Sequence, residues 1–198
     1  MTPVAFIRHG LTAWSEAGRI QGRVDLPLSP AGREQVSGWR LPAALAGARW
    51  LTSPLRRARE TAALLGAADA TVEPGLIEAA WGAYEGWTLD QLRALDPDGM
   101  AAREARGLDF RPPGGGESPR EVRERLRRVL DGLVGTAGPV VLVCHKGVIR
   151  AALSLATGWD FLGKPPVRLA PDSALAATLH GDGRLELRPP LRLRPEGA

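Results

Sequence analysis

The sequence is poor in the residues that build covalent or metal-based scaffolds. Its 198 residues include one cysteine, Cys144, and three histidines. A single cysteine forms no internal disulfide, and no Cys/His cluster with zinc spacing occurs. No apolar run approaches the roughly 18 to 20 residues of a membrane helix. Met1 leads directly into the apolar Val4-Ala5-Phe6-Ile7 without the features of a signal peptide, so we expect a cytoplasmic protein with no membrane partner.

The sequence also lacks blocks of positive charge, although its net charge is +4. Almost all basic residues are arginines, and they alternate with acids, as over residues 120–125. No basic block is interleaved with aromatic residues, as it is in proteins that bind single-stranded nucleic acids. We therefore expect no nucleic-acid partner, and the positive field favours a small anionic substrate.

Apolar runs alternate with segments of helical period, which predicts an α/β fold with a single domain over residues 1–198. We expect a three-layer sandwich with a mostly parallel central sheet, helices on both faces and an antiparallel edge hairpin. The predicted strands are Val4–Arg8, Arg49–Thr52, Val140–Cys144, Leu175–His180 and Arg184–Leu187. The last two form the hairpin, because Asp182-Gly183 between them is a turn signal.

Four helices are predicted from periodicity: Ser29–Leu45, Leu55–Leu65, Pro119–Val134 and Val148–Thr157. Pro42 is expected to kink or end the first, and Ser118 with Glu121 to form a capping box at the third. Residues 96–117 are rich in Gly, Pro and Arg and indicate a lid loop. Residues 189–198 carry three prolines and indicate a loosely ordered tail.

Two histidines are expected to meet at one edge of the sheet. His9 follows the first predicted strand together with Arg8, and His145 follows the third, just before Lys146. Open α/β sheets bind ligands at the carboxyl ends of their strands, so two central parallel strands would deliver both imidazoles to a functional site. The third histidine, His180, lies beside a turn and is expected to be structural.

Three arginines, Arg56, Arg57 and Arg59, open the helix that follows Ser53-Pro54. Cations in a first helical turn oppose the helix dipole unless an anion lies there. Guanidinium groups match the geometry of phosphate oxygens. One of the three is therefore expected to bind a phosphate.

The chain resembles the histidine phosphatase superfamily, which includes cofactor-dependent phosphoglycerate mutases and α-ribazole phosphatase-like enzymes. Five blocks of sequence carry the resemblance, and they occur in the family's order. The blocks are Arg8-His9-Gly10 with Thr12, residues 18–28, residues 53–62, Glu78 with Trp81-Gly82 and Glu85-Gly86, and residues 145–150. Together they span nearly the whole domain.

The resemblance implies a phosphomonoester hydrolase that acts on a small phosphorylated metabolite through a phosphohistidine, without a metal or cofactor. It implies that His9 is the nucleophile and Glu78 the proton donor, while Arg8, Arg57 and His145 hold the phosphoryl oxygens. The residues that would contact substrate or phosphate are Arg8, Thr12, Ser15, Gln21, Gly22, Arg57 and Lys146. A homodimer is one assembly to consider.

Three positions depart from the family pattern. Leu11 stands where Glu or Gln is usual, Ser15 where Asn is usual, and Lys146 where Gly is usual. Ser15 still offers one hydrogen-bond donor, and Lys146 adds a cation that compensates if it folds inward. Leu11 offers no polar group.

Three alternatives stay open at this point. A mutase-type phosphotransferase would share the chemistry of His9, but the compact segment between Glu78 and Ser118 favours a hydrolase. The departures at Leu11 and Ser15 fit a phospholigand-binding protein with weak catalysis. Finally, Cys144, Gly147 and Arg150 spell the C-x-x-G-x-x-R loop of cysteine-dependent phosphatases, although the histidine interpretation already accounts for the glycine and the arginine.

Overall fold

A seven-stranded sheet runs through the computed structural model, which describes residues 1–193. Its strands are β1 Thr2–Arg8, β2 Arg49–Thr52, β3 Thr71–Val72, β4 Val140–Cys144, β5 Ser173–Leu179, β6 Leu185–Leu187 and β7 Leu191–Arg192. The strand order is β3-β2-β4-β1-β5-β6, and β7 pairs with β5. The first four strands in this order are parallel, whereas β5 pairs antiparallel with β1, β6 and β7. The predicted fold class is confirmed.

The two central strands, β1 and β4, are buried on both faces. Their sequences are almost entirely apolar, as expected of parallel strands that helices cover on both sides. They pair in parallel from Val4 opposite Val140 to Arg8 opposite Cys144. The two strands consequently end at the same level of the sheet.

In the described part of the chain, seven α-helices surround the sheet: α1 Ala13–Glu16, α2 Pro30–Ser37, α3 Arg56–Leu64, α4 Leu89–Leu95, α5 Pro97–Glu104, α6 Pro119–Asp131 and α7 Lys146–Thr157. Apolar side chains of α6 and α7 fill one face of the sheet, and those of α2 and α3 fill the other. Ser118 and Glu121 form the predicted capping box of α6. Within residues 1–193, no helix has both the length and the apolar character needed to span a bilayer.

The first predicted helix is too long. Helix α2 ends at Ser37, capped by Gly38, and only a short 3₁₀ turn, Ala43–Leu45, follows. The Trp39 side chain is buried in the core between these two segments, which draws the chain away from the helix axis. The helix therefore ends well before Pro42, and the expectation that Pro42 ends it is wrong.

The prediction of a loop over residues 96–117 is wrong in its first half. Asp96 caps α5, where its side chain accepts a hydrogen bond from the backbone N–H of Gly99. Pro97 follows at the first helical position, which suits proline. Met100 on α5 is buried against Tyr84 and Leu92 on preceding segments. A 3₁₀ turn follows at Gly107–Asp109, and residues 110–117 contain no helix.

The prediction of a loose tail from residue 189 is wrong for its first part. Strand β7 pairs with the start of β5, where Arg192 lies opposite Ser173. The Leu193 side chain is fully buried. Its backbone N–H donates to the carbonyl oxygen of Asp172, and its carbonyl oxygen accepts from the backbone N–H of Arg40. Residues 194–198 lie outside the described residues. Strands β3 and β7 and helices α1 and α4 are not among the predicted elements.

Replacing the buried Leu193 by alanine should lower the free energy of unfolding by about 2 kcal/mol or more, because it removes a side chain from the core. Urea unfolding followed by circular dichroism measures this change. Leu95→Ala is the matched control, since its side chain is 72% exposed, and its effect should stay within about 0.5 kcal/mol. Equal effects of both variants would show that the Leu193 side chain, which directly follows β7, does not contribute to the core.

Candidate active site

The ends of β1 and β4 bring two imidazoles together. His9 and His145 each follow the last residue of their strand, and their ring centroids lie 5.1 Å apart at an angle of 57°. Both side chains are buried, with 6% and 0% exposure. The structure therefore brings the two histidines together at one edge of the sheet, as predicted.

The hydrogen bond made by His9 determines its tautomer. Nδ1 lies 2.7 Å from the carbonyl oxygen of Gly10, which only accepts hydrogen bonds. Nδ1 therefore carries the hydrogen, and Nε2 keeps its lone pair. Burial lowers the pKa of His9 well below its ordinary value, and the charges of Arg57 and Arg8 lower it further. His9 is a neutral imidazole with a free nucleophilic nitrogen at neutral pH.

His145 is held by Ser53, which follows the end of β2. The Ser53 Oγ lies 2.7 Å from His145 Nε2 and accepts a hydrogen bond from the backbone N–H of Leu55. A serine oxygen can accept a second hydrogen bond or donate its own hydrogen, so this contact is compatible with either tautomer of His145. This buried Nδ1 has no partner within residues 1–193. Burial, and then the neighbouring His9, lower the pKa of His145. The structure thus leaves a buried ring nitrogen without a hydrogen-bond partner, and in the tautomer in which Ser53 donates to Nε2 this nitrogen is a donor for an anion.

Of the three arginines that open α3, Arg57 is the one that is fully buried. Its Nη1 and Nη2 donate to the carbonyl oxygens of Val24 and Gly22, both at 2.8 Å. Its Nε is buried and has no partner within residues 1–193. Two backbone acceptors thus hold a guanidinium whose Nε–H is free for a ligand. Arg8 is exposed to solvent, and its charge acts on both histidines.

Glu78 is a buried carboxyl group that contacts the start of α7, two residues after His145. Its Oε1 accepts from the backbone N–H of Ala79 at 2.8 Å, and its Oε2 accepts from that of Gly147 at 3.2 Å. A side chain at position 147 would overlap Glu78, so the glycine is required for this approach. Burial raises the pKa of Glu78 above its ordinary value, even though the two hydrogen bonds favour the charged form. A carboxyl group with a raised pKa is suited to donate a proton near neutral pH.

Three of the predicted phosphate contacts are bonded to one another. The Thr12 hydroxyl donates to Oε1 of Gln21 at 2.7 Å. The Ser15 hydroxyl accepts from the backbone N–H of Thr12 at 2.8 Å and donates to the carbonyl oxygen of Thr12 at 3.0 Å. The donor that the sequence assigns to phosphate at Ser15 is therefore engaged inside the loop. Gly22 contributes the carbonyl that holds Arg57 and has a φ of 52°, which favours glycine.

The other two departures from the family pattern differ in their surroundings. The backbone N–H of Leu11 donates to Gln35 on α2, and its carbonyl accepts from the N–H of Ser29. Leu11 thus anchors the segment after His9 to the helix layer. Lys146 is exposed beside His145 and does not fold into the core.

Cys144 is buried within the core cluster between the sheet and α7. Burial raises the pKa of its thiol far above the ordinary value. A thiolate is the reactive form of cysteine, so this residue is unsuited to act as a nucleophile. The alternative of a cysteine-dependent phosphatase is not supported.

Two acidic residues that arrange the site were not assigned a role from the sequence. Glu85 accepts from the backbone N–H groups of Arg23 and Trp81, which ties the loop carrying Gly22 to a second loop. Asp25 accepts from the backbone N–H of Arg56 and caps the start of α3. The role of Ser53 as the partner of His145 was also missed. Side chains that bond to a distant backbone leave no periodic signal in a sequence.

Comparison with known proteins agrees with this geometry. A sequence profile described as histidine phosphatase superfamily (branch 1) matches residues 4–187. Glucosyl-3-phosphoglycerate phosphatase of Mycolicibacterium vanbaalenii is 35% identical over 179 residues, which cover 81% of this chain and 78% of that protein. The structure of a mycobacterial glucosyl-3-phosphoglycerate phosphatase in complex with VO3 matches with a TM-score of 0.77 and 29% identity, covering 98% of this chain and 100% of that one.

A bifunctional protein of Mycobacterium tuberculosis is 34% identical to this chain over 174 residues, or 79% of the chain. The match covers only 46% of that protein. The chain therefore spans about half the length of this relative. Within residues 1–193, no group of three or more His, Cys, Asp or Glu side chains is arranged to hold a metal ion.

The ring signals of His9 and His145 should show neutral imidazoles throughout the range above pH 6.5, because burial and nearby cations lower both pKa values. The measurement is a titration of the imidazole C–H signals by NMR from pH 8 downward, with His180→Gln to assign the third histidine. The urea-unfolded chain is the control and should titrate near pH 6.5. A folded-state midpoint at or above that value for either histidine would contradict the electrostatic description of the site.

Proposed function

This chain belongs to the histidine phosphatase superfamily (branch 1), and we propose that it hydrolyses phosphomonoesters of small metabolites through a phosphohistidine on His9. The observation that carries the proposal is the neutral, buried His9, whose Nε2 is free while cationic side chains surround it. A neutral imidazole beside arginines attacks an anionic phosphoryl group without the penalty of bringing together two negative charges.

In the first step, Nε2 of His9 attacks phosphorus. The N–P bond forms as the bond from phosphorus to the leaving oxygen breaks. The charge on the equatorial oxygens is stabilised by Arg8, Arg57 and the unpartnered Nδ1 of His145, which is a donor in the tautomer in which Ser53 donates to Nε2. Arg57 needs no movement for this role, because backbone carbonyls already hold its guanidinium.

Glu78 donates its proton to the leaving oxygen in the same step. Its raised pKa keeps a larger fraction of the carboxyl group protonated than in water. The resulting carboxylate is stabilised by the backbone N–H groups of Ala79 and Gly147. In the second step, this carboxylate takes a proton from water as the water oxygen attacks phosphorus. The N–P bond breaks, and phosphate and the original enzyme are released.

A small substrate is proposed on the basis of the matched relatives, one of which is named for glucosyl-3-phosphoglycerate. Hydrolysis is proposed over mutase-type transfer because the segment from Glu78 to Ser118 is short. A mutase must keep its phosphohistidine from water until a second hydroxyl arrives. The cytoplasmic location and the single domain expected from the sequence remain part of this proposal.

His9→Ala should abolish hydrolysis of para-nitrophenyl phosphate, whereas Cys144→Ala should keep most of it, because only the imidazole forms the covalent intermediate. Initial rates with and without EDTA, on variants checked for folding by circular dichroism, measure both effects. After a pulse of radiolabelled substrate, the wild-type protein should carry an acid-labile, base-stable label. Activity retained in His9→Ala would refute the mechanism, and phosphate binding without turnover in the wild type would favour a binding protein.

Glu78→Gln should reduce kcat/KM by about 100-fold for an alkyl phosphate but less than about tenfold for para-nitrophenyl phosphate. Nitrophenolate is a good leaving group and needs little help from a proton donor. Glutamine keeps the size of the side chain and an oxygen for one of the two backbone N–H groups. The exposed Glu124→Gln is the matched control and should leave both values unchanged. Equal losses for the two substrates would remove Glu78 from the role of proton donor.

A further inference from the structure

The first two turns of α7 carry a pair of cations at the rim of the candidate site. Lys146 directly follows His145, and Arg150 lies four residues later, which places both on one face of the helix. Within residues 1–193, neither side chain forms a salt bridge with a carboxylate. The Nε of Arg150 is buried and has no partner in this range. The pair is thus a positive surface that the described part of the chain does not neutralise.

Two aromatic rings hold Arg150 in place. Its Cζ lies 5.0 Å from the ring centroids of both Trp159 and Phe161. The two rings stack on one another, with centroids 4.5 Å apart and planes 11° apart. Phe161 has a φ of 72°, a left-handed backbone that a bulky residue rarely adopts. Residues with a strained backbone persist where the surrounding structure enforces that conformation, often at ligand sites. In this conformation the ring of Phe161 lies beside the guanidinium of Arg150.

The pair lies on the side of the site that holds Glu78. Glu78 bonds to the backbone N–H of Gly147, which directly follows Lys146. Burial lowers the pKa of both Lys146 and Arg150, and the charge of Glu78 acts in the opposite direction on each. In the proposed reaction Glu78 protonates the leaving oxygen, so groups beside it face the alcohol part of the substrate. The phosphoryl group is already served by Arg57, Arg8 and His145.

We propose that Lys146 and Arg150 form a subsite for a second anionic group, a carboxylate or another phosphate, on the alcohol part of the substrate. This inference rests on the proposed hydrolase function and narrows its substrate class to phosphomonoesters that carry a further negative charge. Lys146 provides a mobile point charge at the rim, and Arg150 provides a fixed guanidinium with parallel donors. Residues on α7 then determine selectivity for the alcohol, and they are different residues from those that transfer the phosphoryl group.

Three substrates with the same three-carbon skeleton test the subsite. Glycerol 3-phosphate has a neutral hydroxymethyl end, 3-phosphoglycerate has a carboxylate there, and glycerol 1,3-bisphosphate has a second phosphate. The wild type should prefer at least one of the two charged substrates over glycerol 3-phosphate in kcat/KM, and the preferred one identifies the anion. Lys146→Gln should reduce this preference by about tenfold, the value of one charge-assisted hydrogen bond.

Lys164→Gln is the matched control, because it removes the same charge from the other lysine of the chain, which is exposed in the loop after α7. It should leave the preference unchanged. Arg150→Gln should also reduce the preference for the charged substrate over glycerol 3-phosphate. If the Arg150→Gln variant does not fold, the result for Lys146→Gln alone tests the subsite. A wild type without preference for either charged substrate, or a preference that survives in Lys146→Gln, would overturn the subsite.

Direct binding separates this inference from the proposed function. If the wild type hydrolyses none of the three compounds, the hydrolase proposal fails for them, and calorimetric Kd values for the same compounds then test the subsite. Tighter binding of a charged compound than of glycerol 3-phosphate, lost about tenfold in Lys146→Gln, supports the subsite without turnover. Equal Kd values for the charged and neutral compounds refute it.

Discussion

The parallel pairing of β1 with β4 is the constraint on which the candidate site depends. The ladder continues one residue past the strand, since the backbone N–H of His9 donates to the carbonyl of Cys144 at 3.0 Å. Ser53 does the same beyond β2, where its N–H donates to the carbonyl of Val143 at 2.9 Å. Three strand ends are thereby fixed at one level by backbone bonds. The distances between His9, His145 and Ser53 follow from this register, so a slip of one residue would turn each side chain to the opposite face.

Burial at this edge of the sheet has opposite effects on the pKa values of the two imidazoles and of the Glu78 carboxyl group. Removal of water disfavours the charged form, which lowers the pKa of the two imidazoles and raises that of Glu78. The outcome is two neutral bases and an acid that retains its proton more readily. Such a set suits the transfer of an anion, because the proposed nucleophile is uncharged and the arginines supply the positive charge. The same burial makes the Cys144 thiol inert.

The central strands and the meeting of the two histidines could be predicted because their cause is local. Apolar runs that end at a polar residue indicate both the strand and the side of the sheet where it ends. The wrong predictions have causes that are distant in the sequence. Helix α2 ends early because Trp39 is drawn into a core built by other segments, and β7 exists because the start of β5 offers it an unpaired edge. Composition favoured a lid over residues 96–117, whereas the burial of Met100 against Tyr84 stabilises a helix there.

The candidate site also combines features that could be predicted from the sequence with features that could not. Charge and position in the helix indicate only that one of three arginines faces an anion. The resemblance assigns Arg57, and the structure shows that the carbonyls of Gly22 and Val24 hold it. Backbone contacts, which change little with the identity of neighbouring side chains, hold His9, Arg57 and Glu78. His145 is held by the side chain of Ser53. Lys146 and Arg150 are instead held by their own helix and by two aromatic rings. A change there alters the charge beside the leaving alcohol while the register of β1 and β4 stays intact. Selectivity for the alcohol can thus vary while the groups proposed to transfer the phosphoryl group keep their positions.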